Sequence, residues 1–274
     1  MSLPLALSVT PETVTFTAAL AATGFSTSFL GGILGAGSGL VLIPILQYLF
    51  TMFGLSSDAA MELTVGTTSF SMIFSSAMST RREINKGLIE WAAMKQWIVP
   101  VLLGVAATHM LGLATGYMMK LVFAAVMVLL SVYMLAGKEH WRLADRVPLG
   151  PKWMAVGFVF GFVCSLAGVG GAILAIPLLV SCGVPLARAM SSCVVLGLMI
   201  GIPSTFYYIQ MPTINAPFTL GYINFLAAAV LFVTGQYGRP LGLWVQARMS
   251  PELLRKVFAA LLVVSATRIC LSLA

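Results

Sequence analysis

Apolar residues run along this chain in long, near-continuous blocks broken by short polar stretches. They lack the two-residue alternation of a half-buried strand or a membrane β-barrel. Ten blocks are legible, at about 14–34, 39–53, 59–80, 90–111, 117–136, 153–167, 172–183, 187–208, 218–237 and 252–272. Most approach the ~20 residues an α-helix needs to cross a hydrocarbon core of about 30 Å. Helices satisfy their own backbone groups in lipid, so the pattern predicts an all-α polytopic membrane protein. Composition agrees. Of 274 residues, 59% are hydrophobic and 8% charged, against about 25% charged in an ordinary soluble domain. Mean hydropathy is +1.01. A soluble enzyme and a disordered chain are excluded. No basic stretch precedes block 14–34, which reads as a retained helix rather than a cleaved signal.

Charge placement gives the topology. Arg81, Arg82 and Lys86 fall between two blocks, as do Lys138, Arg142, Arg146 and Lys152, then Arg188, then Arg239, Arg248, Arg255 and Lys256. Even numbers of blocks separate these groups, and the stretches 54–58, 112–116 and 209–217 contain no Lys or Arg. By the positive-inside rule the basic loops are cytoplasmic and both termini lie outside. The net charge of +7 is thus assigned to topology, and no nucleic-acid partner is expected. Lys120 and Arg268 fall near the outer interface, where long side chains snorkel. Cys164, Cys182, Cys193 and Cys270 lie in or beside apolar blocks without metal-ligand spacing. They read as packing residues, and neither a metal nor a cofactor is expected.

The chain also repeats itself. Residues 35–46 read GAGSGLVLIPIL and residues 168–179 read GVGGAILAIPLL. Gly24, Phe25 and Phe29 pair with Gly157, Phe158 and Phe162 at the same offset. Further on, Val122–Ala125 returns as Val257–Ala260, with Lys120 and Arg255 each two residues ahead. The reading is a first transmembrane repeat over 14–136, a basic cytoplasmic linker over 137–152 and a second repeat over 153–272. Each copy holds five segments. Five is odd, so the second copy is inverted, the usual plan of secondary transporters, which hold substrate near the midplane.

In each copy the first two segments flank a glycine cluster. In the second copy, arms of about 15 residues reach only about 22 Å as helix, short of a full crossing, and fit a re-entrant hairpin. The first copy has a longer leading arm, and inverted hairpins would bring the two tips together near the midplane. Two short tilted crossings would fit as well. Glycine permits a tight turn and leaves amides uncovered, and a helix N-terminus attracts anions. The alternative is that the glycines only permit close helix packing. The tips are Gly35, Gly37, Ser38 and Gly39 in one copy and Gly168, Gly170 and Gly171 in the other. The third segment of each copy adds hydroxyls, Thr64, Thr67, Thr68, Ser69 and Ser71 in one and Ser191 and Ser192 in the other. These would serve either the same anion or helix packing.

With these blocks, the sequence resembles the sulfite exporter TauE/SafE family of membrane permeases. The resemblance rests on GAGSGLVLIP and GVGGAILAIP, on VGTTS at 65–69 and AMSSC at 189–193, and on the whole-chain repeat. It implies transport of a small sulfur-containing or carboxylated anion such as sulfite, sulfoacetate or sulfolactate, outward and coupled to the proton gradient, across a bacterial inner membrane. It also implies that Gly35, Gly37, Gly168 and Gly170 are the motif glycines and Thr67 and Ser191 the hydroxyls. Ser38 and Ala172 stand where the family often has glycine.

Few ionisable residues lie inside the blocks, which makes each a functional candidate. Glu62 would carry a coupling proton or sit as an interfacial carboxylate at a helix start. His109 titrates near neutral pH when free and would relay a proton or serve helix packing. Arg188 would draw anions to the cytoplasmic mouth or anchor topology. No GxxxxGK[ST] string is present, so energy would come from a gradient. A secondary transporter working by alternating access is the leading expectation, with a short-carboxylate transporter or an anion channel as alternatives. An intramembrane enzyme is disfavoured, because HExxH and GxSxG are absent. The outer faces would meet lipid, and they are compatible with a homodimer.

Overall fold

The computed structural model describes residues 11–34, 39–136, 144, 147–148, 150–214 and 216–272. The expectations for Gly35, Gly37, Ser38 and most of the 137–152 linker fall outside the described residues. Among the described residues ten helices follow the apolar blocks: α1 (Pro11–Leu34), α2 (Gly39–Met52), α3 (Ser57–Lys86), α4 (Trp91–Met110), α5 (Gly116–Ala136), α6 (Pro151–Ala167), α7 (Ala172–Ser181), α8 (Leu186–Gln210), α9 (Phe225–Gln246) and α10 (Pro251–Leu271). A two-residue antiparallel pair, β1 (Thr219–Leu220) with β2 (Ile223–Asn224), precedes α9.

Two boundaries moved for identifiable reasons. The ninth block was expected at 218–237, but its first residues form the β1–β2 turn, and the Asn224 side chain caps α9 at the amide of Ala227. The helix then continues through Arg239 and Pro240 to Gln246. The third block was expected to end at Ser79–Thr80, yet α3 carries Arg81, Arg82 and Lys86 as its last turns and stops at Gly87, whose φ of 66° terminates it.

Val14–Ile33, Trp91–Met110 and Leu186–Gln210 are each long and apolar enough to cross a membrane. Large apolar side chains stand exposed on outward faces, among them Leu103, Leu129, Val159, Phe206 and Val264, as a lipid solvent permits. By contrast α7, with 10 residues, is about 15 Å long, and α2, with 14 residues, about 21 Å.

Apolar burial does not drive helix association in lipid, so close backbone approach must supply it. Glycine supplies it at two long interfaces. Along α1 and α9, Gly24 faces Leu231 and Thr234, Gly32 faces the Arg239 carbonyl and Gly242, and Gly238 faces the Phe25 carbonyl. Along α4 and α6, Gly104 faces Phe158 and Phe162, Gly157 faces Trp97, and Gly161 faces Val101. Contacts advance in step, so the helices of each pair run parallel. The other two long pairings are α3 with α8 and α5 with α10. In the first, Gly201 meets Ser69 and Gly197 meets Ser76, so α3 and α8 run antiparallel. Exchanging α1–α5 for α6–α10 in order turns the α1–α9 pair into α6–α4 and leaves α3–α8 and α5–α10 unchanged.

Candidate functional site

The chain turns from α6 into α7 through Gly168 and Gly171, both at positive φ, 67° and 77°. Left-handed backbone is costly for residues with a Cβ, which explains two glycines here. The Gly168 amide closes α6 on the Cys164 and Ser165 carbonyls. This tip lies against α3. A Cβ at Gly168 would strike Val65, and one at Gly170 would stand 2.6 Å from the Met72 sulfur. Val65 and Met72 flank Thr68 on the same helix. The first residue of α2, Gly39, faces Val169, which a Cβ at Gly39 would approach to 3.7 Å. Gly39, the described end of the first glycine block, therefore lies beside the second block.

A cavity of about 420 Å³ opens beside this meeting point. Gly39, Gly168, Gly170 and Ala172 line one end. Ala172 is the first residue of α7, so one helix N-terminus, with first-turn amides free of intrahelical partners, opens into it, with Gly39 of α2 beside it. Thr68, Ser71, Ser75 and Ser79 form a hydroxyl stripe along its α3 wall, and Arg82, Lys86 and Arg239 stand at its far end. Thr68 and Lys86 are about 27 Å apart along the helix axis. Thr27, Ser28 and Gly31 of α1 and Gly235 and Gln236 of α9 close the opposite wall. Arg239 donates from Nη1 to Ser79 Oγ at 3.1 Å, tying α9 to α3 at the basic end. The cavity thus carries hydroxyl groups and the glycine tip at one end and, at the other, Arg82, Lys86 and Arg239 together with Glu83, which pairs with Lys86 at 2.8 Å.

Of the expected site residues, the structure brings Gly39, Thr68, Gly168 and Gly170 to this cavity. Gly171 caps α7 beside it, packed on Phe160 and Ile200. Thr67 faces elsewhere and accepts the Asn224 amide at 3.0 Å. Thr68 Oγ1 back-bonds to the Thr64 carbonyl at 2.8 Å. Ser191 donates to Glu83 Oε2 at 2.8 Å. Ser192 donates to the Arg188 carbonyl at 2.7 Å and accepts the Glu90 amide at 2.8 Å. Arg188 pairs with Glu90 at 3.3 Å. These three α8 residues staple its start to α3 and α4, while their neighbours Met190 and Cys193 line the cavity. Glu62 accepts the Gly116 amide at 2.8 Å, holding the start of α5. His109 is buried between Ser165 and Ser204. Lys120, expected to snorkel, is 4% exposed and paired with Asp58 at 2.8 Å.

Sequence reasoning missed Ser75, Ser76 and Ser79, left Gln236 unranked among the polar groups of apolar stretches, and read Arg239 only as a topology marker. The stripe was detectable. Positions 68, 71, 75 and 79 recur at the three- and four-residue spacing of one helix face, but the search stopped at Ser71. Arg239 was assigned to a loop because block nine was ended too early.

The Sulfite exporter TauE/SafE profile matches residues 20–269. A probable membrane transporter protein of Haemophilus influenzae is 28% identical over 250 residues, 89% of this chain and 94% of its own. One of Methanocaldococcus jannaschii is 25% identical over 241 residues, covering 87% and 90%. A third, from Bacillus subtilis, is 23% identical over 272 residues, covering 88% and 92%. No solved structure matches the chain.

Proposed function

The chain belongs to the sulfite exporter TauE/SafE family of membrane transporters, and from that premise we propose that it exports a small organosulfonate or sulfite-like anion by alternating access. The observation that carries the anion is the cavity: the N-terminus of α7 beside Gly39 at one end, a hydroxyl stripe along the α3 wall, and three basic side chains against one carboxylate, Glu83, at the other end. Free first-turn amides and the positive dipole end hold an anion without a counter-charge that must be desolvated. Arg82, Lys86 and Arg239 raise the local anion concentration at the mouth. Gly35, Gly37 and Ser38 complete the first tip in this reading, and Arg188, Ser191 and Ser192 frame the mouth from α8.

We read the chain as two inverted halves, the arrangement that alternating access uses. The packing pairs interchange when α1–α5 is exchanged for α6–α10. Helices of like parity run parallel and α3 and α8 run antiparallel, as five-segment inversion requires. The short α2 and α7 read as the second arms of re-entrant hairpins. With the basic loops cytoplasmic and both termini outside, the cavity is the inward-facing one. Glu62 and His109, both half or more inside the helix bundle, are the coupling-proton carriers in this reading, and the membrane is a bacterial inner membrane.

The test is thermal stability of the detergent-purified protein against sulfite, thiosulfate, sulfoacetate, sulfolactate and short dicarboxylates at fixed ionic strength. A ligand at 100 times its Kd stabilises by about 2.7 kcal/mol. Selective stabilisation by a sulfonate or sulfite, lost in Gly170→Leu and Arg239→Gln, is the expected result. Stabilisation by dicarboxylates alone moves the substrate class. Flux at channel rates without counterflow or pH dependence overturns alternating access.

A further inference from the structure

The two glycine-packed pairs, α1–α9 and α4–α6, exchange places when the halves are exchanged, yet their surroundings differ. The α1–α9 pair borders the open cavity and reaches α3 at the basic end through the polar bridge from Arg239 to Ser79. The α4–α6 pair is shut against α8, and a buried polar cluster seals the seam. His109 of α4 lies with Nε2 3.3 Å from Ser165 Oγ of α6 and 3.4 Å from Ser204 Oγ of α8. Its ring stacks on Tyr207 at 4.1 Å and meets Tyr208 edge-on at 5.6 Å. His109, Ser165, Ser204 and Tyr208 are all buried.

The contacts divide into two kinds. His109 and Ser165 belong to one body, because α4 and α6 touch backbone to backbone at Gly104 and Gly161 and share the Thr108 to Phe162 hydrogen bond of 3.2 Å. Ser204, Tyr207 and Tyr208 belong to α8, which packs along α3. Hence the His109–Ser204 and His109–Tyr207 contacts cross from the α4–α6 pair to α8, at the end of α4 opposite Glu90, where Ser192 and Arg188 also tie α8 to α4. His109 Nδ1 and the neighbouring Thr205 Oγ1 are buried without a hydrogen-bond partner among the described residues. A seam that leaves buried polar atoms unsatisfied gains by opening to water. His109 sits in the last turn of α4, at the end away from the Arg188–Glu90 pair and the basic mouth. Ser165 lies one turn before the Gly168 tip, so parting this seam exposes the far side of the glycine tips.

We propose that the His109–Ser165–Ser204 cluster, with Tyr207, is the gate that closes the site on the face opposite the basic loops. The inference rests on the alternating-access reading and places its second access route between α4–α6 and α8.

The test follows accessibility from both faces in vesicles of known sidedness, in the full chain with its four cysteines replaced by alanine. Thr205→Cys reports the seam and costs no existing hydrogen bond, since the threonine hydroxyl has none. Ser75→Cys reports the cavity. An impermeant maleimide should label Thr205→Cys slowly in the parent. Adding His109→Ala should speed labelling from the face opposite the basic loops by about tenfold and slow Ser75→Cys from the basic face, because one buried contact of this kind shifts a two-state population by that order. Ser204→Ala, a milder change made from the other side of the contact, should do the same, and His109→Gln should keep the parent rates. Unchanged Thr205→Cys labelling in both variants overturns the gate. Faster Thr205→Cys labelling without slower Ser75→Cys labelling also overturns it, as local loosening. Reciprocal labelling with no flux of any tested anion leaves the gate standing and removes the substrate reading instead.

Discussion

Gly39 and Val169 face each other across the centre of the molecule, although 129 positions separate them in the chain. A Cβ on Gly39 would stand 3.7 Å from Val169 Cγ1 and 3.9 Å from its Cα, which is ordinary van der Waals contact. Each residue belongs to one copy of the duplicated glycine block, and the cavity begins where they meet.

Gly39→Ala should therefore fold at least as stably as the parent, since the methyl has room and alanine favours a helix by up to ~1 kcal/mol over glycine. Thermal melting should show an equal or higher Tm. Anion flux should fall in the same variant, because the methyl covers the first amides of α2. Full flux with a raised Tm would take Gly39 out of the site.

The two other tip glycines should separate fold from transport. At Gly168 any side chain meets both a φ of 67° and the Val65 side chain. Gly168→Ala should destabilise by about 1–3 kcal/mol, visible as a lower Tm. At Gly170 the obstacle is the flexible Met72 thioether, so Gly170→Ala should keep its stability within roughly 0.5 kcal/mol of the parent, with little change in Tm, and lose flux. Equal melting of the two variants would contradict this account of the turn.

Thr67→Val should show a stability defect before a transport defect. The Asn224 amide donates to Thr67 Oγ1 in a buried setting, and orphaning a buried donor costs about 1–3 kcal/mol. Chemical denaturation of purified protein would read this directly. Thr68→Val removes a back-bond to its own helix and a hydroxyl from the cavity, so its flux should drop more than its stability.

Asp58→Asn tests the buried lysine. Lys120 also reaches Ser57 Oγ and the Ser272 carbonyl, each at 3.1 Å, and so links α3, α5 and the end of α10. Asp58 is itself half exposed, so the loss should be only about 1 kcal/mol, smaller than for Lys120→Met, which removes all three links. Melting curves at low and high salt would check it, with the Asp58→Asn deficit shrinking as salt rises.

Helix number, order and approximate ends were legible in the amino-acid pattern because lipid forces backbone groups to pair within each segment. A block of apolar residues is then a helix almost irrespective of its neighbours. Ser56 and Asn224 as caps, and Gly87 as a stop, act on the same local logic. The glycine-rich turn into α7 was legible for a related reason: Gly168 and Gly171 adopt positive φ, which favours glycine.

Which polar side chains face one another was decided only by the tertiary structure. Thr67 and Thr68 are adjacent in the chain, yet a helix turns about 100° per residue, so one meets Asn224 and the other the cavity. Arg239 reads as a loop cation until α9 is seen to carry it past Ser79, and His109 reads as an isolated histidine until α4, α6 and α8 converge on it. Segment formation is settled within about twenty residues by the solvent. A cavity is settled by contacts between segments that the local pattern does not encode.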